Sequence, residues 1–144
     1  MRSPSKYFIL AVIFWVVVDY STAFNPDWQR WIEHMPLILL FYLGYPLLFT
    51  FLIYRLKWRR WQLFLAVLFM TFFLEMVIFH NTLLTTFPML LVMIPVAVAI
   101  YSFITYVPLW IAEGNLRNKW KLSSLLTLVW LIVSILNYKS TISG

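Results

Sequence analysis

The sequence predicts an all-α integral membrane protein in which five transmembrane helices form a bundle and a single domain over residues 1–144. Composition is the first reason: 63% of the residues are hydrophobic, 20% are aromatic and only 11% are charged. Soluble domains are about 45–50% apolar and about 25% charged. The second reason is the presence of five apolar stretches that approach the roughly 20 residues a helix needs to cross a bilayer.

The five stretches are separated by short connections that leave no room for a separate soluble domain. They cover residues 7–24, 36–54, 61–79, 88–112 and 122–138. Because each stretch is continuously apolar rather than alternating, helices are favoured over the strands of a barrel, the only other structure that spans lipid. The first stretch also resembles a signal peptide, with Ser21 and Ala23 before a cleavage point. We expect it to be retained as a helix that keeps Asp19 inside the membrane.

Prolines occur within the second and fourth stretches, at Pro46, Pro95 and Pro108. A proline removes a backbone donor and frees a carbonyl, which neighbouring helices or water must then satisfy. We expect these residues to shape the bundle, as they commonly do in membrane helices. The alternative is that the kinks open a pocket for a hydrophobic ligand.

Basic residues predict the orientation of the bundle. Nine of them lie in the N-terminal segment (Arg2 and Lys6) and in the second and fourth connections, "RLKWRR" and "EGNLRNKWK". The first connection, "NPDWQRWIEHM", has a single arginine, and the third, "HNTLLTTF", has no charged residue. Since positive charge concentrates in cytoplasmic loops, we expect a cytoplasmic N-terminus and a C-terminus on the outer side.

Several classes of function are excluded or disfavoured. The net charge is +6, but the basic residues lie between apolar stretches, so topology explains them and we expect no nucleic-acid partner. The chain has no cysteine, which excludes disulfides and thiolate chemistry. Phosphate-loop, zinc-protease and serine-elbow motifs are absent from the sequence, which indicates no particular cofactor.

Three odd-numbered stretches each carry a polar residue in the predicted outer half of the membrane. At about 1.5 Å of rise per residue, Asp19 lies about 18 Å, Glu75 about 21 Å and Asn137 about 22 Å from the inner boundary. An acid in hydrocarbon is costly, so Glu75 is a candidate functional residue that needs a partner. The polar residues expected near this level are Asp19, His34, Glu75, His80, Asn81 and Asn137.

Glu75 and His80 are predicted not to act together, because five residues of a regular helix place them about 140° apart. Asp19 or His34 is the better partner for Glu75. A structural interpretation stands beside each functional one: Glu75 as a neutral acid in packing, Asp19 in the headgroup region, and the histidines at an interface. A metal site of Asp19, His34, Glu75 and His80 has suitable ligand types but no spacing signature, so we predict none.

Three functions fit these features. The first is a non-enzymatic subunit or assembly partner of a larger membrane complex, or of further copies of the chain, because the loops are minimal and the helices apolar on nearly every side. The second is an enzyme or binding protein for a lipid-like or isoprenoid-like molecule, with Glu75, Asp19 and His34 catalytic and with His80, Asn81 and Asn137 binding the ligand. The third is a small proton-linked transporter that uses Glu75.

Overall fold

A computed structural model of the protein describes residues 4–78, 88 and 90–143, and these residues form helices without any strand. The all-α prediction is therefore confirmed. The six helices in the described part of the chain are α1 (Pro4–Asp19), α2 (Trp28–Glu33), α3 (Met35–Thr50), α4 (Arg60–Phe72), α5 (Leu90–Ala112) and α6 (Trp120–Ser143). Three of them continue directly into π-helical turns, at Tyr20–Phe24 after α1, Phe51–Arg55 after α3 and Phe73–Ile78 after α4.

Four helical segments within the described residues are long and apolar enough to cross a membrane, which indicates an integral, multi-pass membrane protein. They are Pro4–Phe24, Met35–Arg55, Leu91–Ala112 and Leu116–Ser140. They match four of the five predicted spans to within a few residues. The described residues therefore contain four segments of this kind, where the sequence predicts five. The remaining predicted span, residues 61–79, is helical from Arg60 to Ile78 and then leaves the described part of the chain.

Helix α2 was not predicted from the sequence. It has only six residues and lies in the connection between the first two spans. Asp27 caps it, because its carboxylate accepts a hydrogen bond from the backbone N–H of Arg30 at 3.1 Å. The Arg30 guanidinium lies 3.8 Å from the same carboxylate and donates a hydrogen bond to the carbonyl of Ala23 at 2.6 Å. These bonds fold the connection back against the end of the first span.

Helix α5 is the centre of the bundle, because α1, α4 and α6 all pack against it. Helix α3 packs against α1 and also reaches α5, since the Tyr45 hydroxyl lies 2.8 Å from that of Thr105. The α1–α5 contact is fixed near the N-terminal end of α1 by the Tyr7 hydroxyl, which donates to the carbonyl of Thr105 at 3.0 Å. Both side chains are completely buried, so this bond lies in the dry core of the bundle.

Helix α6 packs against α5 and against the π-turn that follows α1. The ring of Trp130 stacks on Phe103 with 5.5 Å between centroids, and its indole N–H donates to the Ser21 hydroxyl at 2.8 Å. The side-chain amide of Asn137 donates to the carbonyls of Ser21 at 3.3 Å and Asn25 at 3.2 Å. Asn137 therefore satisfies backbone acceptors at the end of the first span.

Candidate functional site

The two membrane acids occupy equivalent positions in their helices. Asp19 is the last residue of α1 before the π-turn Tyr20–Phe24, and Glu75 lies inside the π-turn Phe73–Ile78. A π-turn inserts an extra residue into a helix and is found frequently at functional sites. Both acids therefore lie where the regular helical repeat is interrupted. The prediction that Glu75 and His80 do not act together stays a prediction, because His80 lies outside the described residues.

Two aromatic side chains from neighbouring helices form a chain of hydrogen bonds that ends at Asp19. The Tyr42 hydroxyl of α3 donates to the Asp19 carboxylate at 2.5 Å. That hydroxyl in turn accepts a hydrogen bond from the indole N–H of Trp31 of α2 at 2.9 Å. Since Tyr42 is only 1% exposed, the acid has a fixed partner from within the core.

Glu75 has an equivalent partner on α5. The Tyr101 hydroxyl donates to the Glu75 carboxylate at 3.0 Å, and Tyr101 is only 4% exposed. Each acid thus accepts a hydrogen bond from a tyrosine of another helix. The two carboxyl groups also lie close enough to act on each other electrostatically.

Trp15 lies between the two acid–tyrosine pairs. Its ring centroid is 6.1 Å from that of Tyr42 and 5.7 Å from that of Tyr101, with the Tyr101 ring edge-on. Its buried indole N–H has no hydrogen-bond partner among the described residues. We refer to Trp15, Asp19, Tyr42, Glu75 and Tyr101 as the acid–tyrosine cluster.

A second group of hydroxyls lies one helical turn further along α5. Thr105 is one turn beyond Tyr101, and its hydroxyl donates to the Tyr101 carbonyl at 2.8 Å. The same hydroxyl lies 2.8 Å from the hydroxyl of Tyr45 of α3. With the Tyr7 hydroxyl bonded to the Thr105 backbone, three buried hydroxyls meet at one residue. Thr105 bonds to the backbone carbonyl of Tyr101 and not to its hydroxyl, so this group is separate from the hydrogen bond between Tyr101 and Glu75.

The other residues proposed from the sequence lie elsewhere or outside the described chain. His34 is exposed, its Nδ1 is 2.8 Å from the Arg30 carbonyl, and its ring lies 5.8 Å from that of Phe24. It therefore belongs to the α2 connection and not to the acid–tyrosine cluster. Asn137 binds the carbonyls at the end of the first span, as described above. His80 and Asn81 lie outside the described residues.

Sequence reasoning identified the two acids but missed their tyrosine partners and Trp15. The available signal was weak: Trp15 is four residues before Asp19, and Thr105 is four residues after Tyr101, so each pair shares a helix face. Nothing in the sequence indicates how each helix is rotated about its axis, so the faces that meet were not predictable.

Two cavities among the described residues are lined by side chains other than the two acids. One, of about 500 Å³, is apolar and lies between α3 and α4, with Leu52, Trp58, Trp61 and Phe69 among its lining residues. The second, of about 390 Å³, lies between α4, α5 and α6 and carries Arg60 and Lys119. Neither of them is lined by Asp19 or Glu75, so the cluster is packed against its own side chains rather than against either cavity.

The cluster therefore offers three kinds of chemical group: two carboxyl groups, hydroxyl donors and an aromatic lining. Among the described residues no group of three or more acidic, histidine or cysteine side chains could hold a metal ion. In comparisons with known proteins, no family model, no curated protein and no solved structure matches this chain.

Proposed function

We propose that the protein is a small proton-linked membrane carrier in which Asp19 and Glu75 take up and release a proton. The observation that carries the proposal is that two acids from different helices lie on either side of Trp15 and each accepts a hydrogen bond from a buried tyrosine hydroxyl. Intramembrane acids are rare and expensive, and they typically mark proton relays.

The physical argument rests on charge. A carboxylate in an apolar bundle is costly, and low dielectric strengthens the repulsion between two of them. Each acid is therefore favoured in its neutral form, from which a proton can leave and to which it can return. The Tyr101 hydroxyl, which can both donate and accept, is positioned to exchange a proton with Glu75. The π-turns supply helix segments that can repack when the charge changes.

The proposal predicts that the pair titrates in the folded protein. Infrared difference spectra of the protein in lipid bilayers, recorded between steps of pH, should show the carbonyl band of a protonated carboxylic acid appearing and disappearing. Asp19→Asn and Glu75→Gln should each change this band, because an amide cannot exchange a proton. Glu75→Gln keeps the acceptor for Tyr101 and should leave folding nearly intact.

Glu33→Gln is the matched control, since Glu33 is an exposed acid of α2 and lies outside the cluster. It should leave the carbonyl band of the pair unchanged. A band that does not respond to pH wherever the protein remains folded would show that the acids are purely structural and would refute the carrier.

A non-enzymatic subunit of a membrane complex is the second candidate, and the surface of α6 favours it. Only 6% of the most apolar part of Leu116–Ser140 is buried within the chain. Its exposed side chains include Leu128, Ile132 and Ile135, and together they form an apolar face for lipid or for another helix. A photocrosslinker at Ile132 distinguishes these cases in native membranes, because a subunit should yield one defined protein adduct and a lone carrier only lipid adducts.

An enzyme acting on a lipid-like molecule has less support. Such an enzyme needs space for its substrate next to the acid, and the two cavities described above are lined by other residues. The hydrogen bonds from Tyr42 and Tyr101 also occupy acceptor positions on both acids.

The proposed orientation places the N-terminus in the cytoplasm and the acid–tyrosine cluster in the outer half of the membrane. The chain has no native cysteine, so a maleimide can label only the single cysteine that is introduced. Gln29→Cys in α2 should react with an impermeant maleimide added to intact cells, whereas Asn118→Cys should react only after the cells are opened. Both positions are exposed. If both label from the same side, this topology is wrong.

A further inference from the structure

The cavity of about 390 Å³ between α4, α5 and α6 combines a charged rim with an apolar wall. Arg60 of α4 and Lys119, which directly precedes α6, form the charged part. Phe64, Leu122 and Leu126 form the apolar part. Its volume is within the range of about 300–1,000 Å³ that is usual for small-molecule sites.

The two cations are available to a ligand. In the described part of the chain, neither Arg60 nor Lys119 has an acidic ion-pair partner. Helix α4 also begins here, at Arg60, so the positive end of its dipole adds to the charge of the rim, whereas α6 continues directly from the 3-10 turn Leu116–Lys119. Charge on the rim is therefore positive from both side chains and backbone.

A buried donor without a partner also lines this cavity. Trp110 is 3% exposed, and its indole N–H has no hydrogen-bond partner among the described residues. Its ring stacks on Tyr106 with 5.9 Å between centroids, and the Tyr106 hydroxyl donates to the carbonyl of Arg60 at 3.1 Å. Since a buried donor left unpaired is costly, a ligand atom that accepts a hydrogen bond from Trp110 should bind more tightly.

We infer that this cavity binds an anionic phospholipid. The phosphate interacts with Arg60 and Lys119, an ester or phosphate oxygen accepts from Trp110, and one acyl chain lies along Phe64, Leu122 and Leu126. Basic pockets between membrane helices suit anionic headgroups in this way. The site is independent of the proton carrier proposed above, because it shares no residue with the acid–tyrosine cluster. By the positive-inside rule it faces the cytoplasmic leaflet.

Native mass spectrometry of the full chain in detergent, titrated with phosphatidylglycerol or phosphatidylcholine, tests the inference. We expect one tightly bound phosphatidylglycerol, and markedly weaker binding of the zwitterionic lipid. In the double variant Arg60→Gln/Lys119→Gln, phosphatidylglycerol should bind roughly 25-fold more weakly, since each juxtamembrane charge contributes about fivefold in affinity. Trp110→Phe keeps the ring but removes the donor and should also weaken binding.

The matched control is Arg117→Gln/Lys121→Gln, which removes the same charge from exposed positions next to Lys119 that do not line the cavity. It should bind phosphatidylglycerol like the parent. An equal loss in this control, equal binding of the two lipids, or full displacement of the lipid by soluble glycerol phosphate would each overturn the inference. If the double variant does not fold, the same titration of the unaltered protein at rising salt concentration tests the inference. Salt should weaken the binding of phosphatidylglycerol, and binding that does not depend on salt refutes the site.

Discussion

Trp15→Ala should be among the most destabilising substitutions in the protein, lowering the free energy of unfolding by about 3–5 kcal/mol. Trp15 is 3% exposed and its ring contacts Tyr42, Tyr45 and Tyr101 from two neighbouring helices. Helix association in a membrane depends on such packing, because lipid is as apolar as the side chains. Denaturant unfolding of the purified protein in mixed micelles measures the change.

Trp28→Ala serves as the control, because Trp28 is 56% exposed and a surface change of this kind is worth about 0.5 kcal/mol or less. Trp15→Phe separates packing from polarity. It keeps an aromatic ring and removes the unpartnered indole N–H, so it should cost much less than the alanine variant. A Trp15→Ala protein as stable as the Trp28→Ala protein would show that the cluster is not a packing centre.

Glu75→Leu should destabilise the protein by about 1–3 kcal/mol, because it leaves the buried Tyr101 hydroxyl without its acceptor. Glu75→Gln preserves an acceptor and should remain close to the parent. The double variant Glu75→Leu/Tyr101→Phe removes both partners of the hydrogen bond and leaves no buried group unpaired, which costs much less stability than removing one partner. Its cost should therefore fall below the sum of the two single costs by about 0.5–3 kcal/mol.

The same unfolding measurements on Glu33→Leu with Tyr101→Phe form the control cycle, since Glu33 is exposed on α2. Those two costs should add within about 0.5 kcal/mol. Additivity in the Glu75 cycle as well would mean that the bond between Tyr101 and Glu75 contributes nothing to stability. If Glu75→Leu is also as stable as the parent, the acid has no structural role.

The helices were predictable because the bilayer imposes a minimum length of apolar sequence. Predicted boundaries such as 7–24 and 36–54 therefore agree with Pro4–Phe24 and Met35–Arg55. Helix α2 was not predictable in this way, because a helix of six residues is too short to show a period and depends on the Asp27 cap. The π-turns were missed because the position of an inserted residue follows from tertiary packing rather than from local composition.

The candidate site was predictable only in part. Asp19 and Glu75 are conspicuous because charge is rare and costly inside an apolar stretch. Their tyrosine partners were hidden among eight tyrosines, any of which could have faced lipid. The expectation that Asp19 or His34 would be the partner of Glu75 considered only charged groups. In the structure Glu75 accepts a hydrogen bond from a neutral donor, Tyr101. Asp19 interacts with Glu75 electrostatically, and His34 lies in the α2 connection.

The attachment of α6 to the first span also has a consequence for the order in which the protein is assembled. The hydrogen bonds of Trp130 and Asn137 join residues more than 100 positions apart in the chain. When the ribosome has made only the first five helices, the carbonyls of Ser21 and Asn25 still lack these partners. Helix α6 therefore closes the bundle against the end of α1 only after the helices between them have been made. A chain that stops before Trp130 leaves these acceptors without their α6 partners, which is costly in lipid.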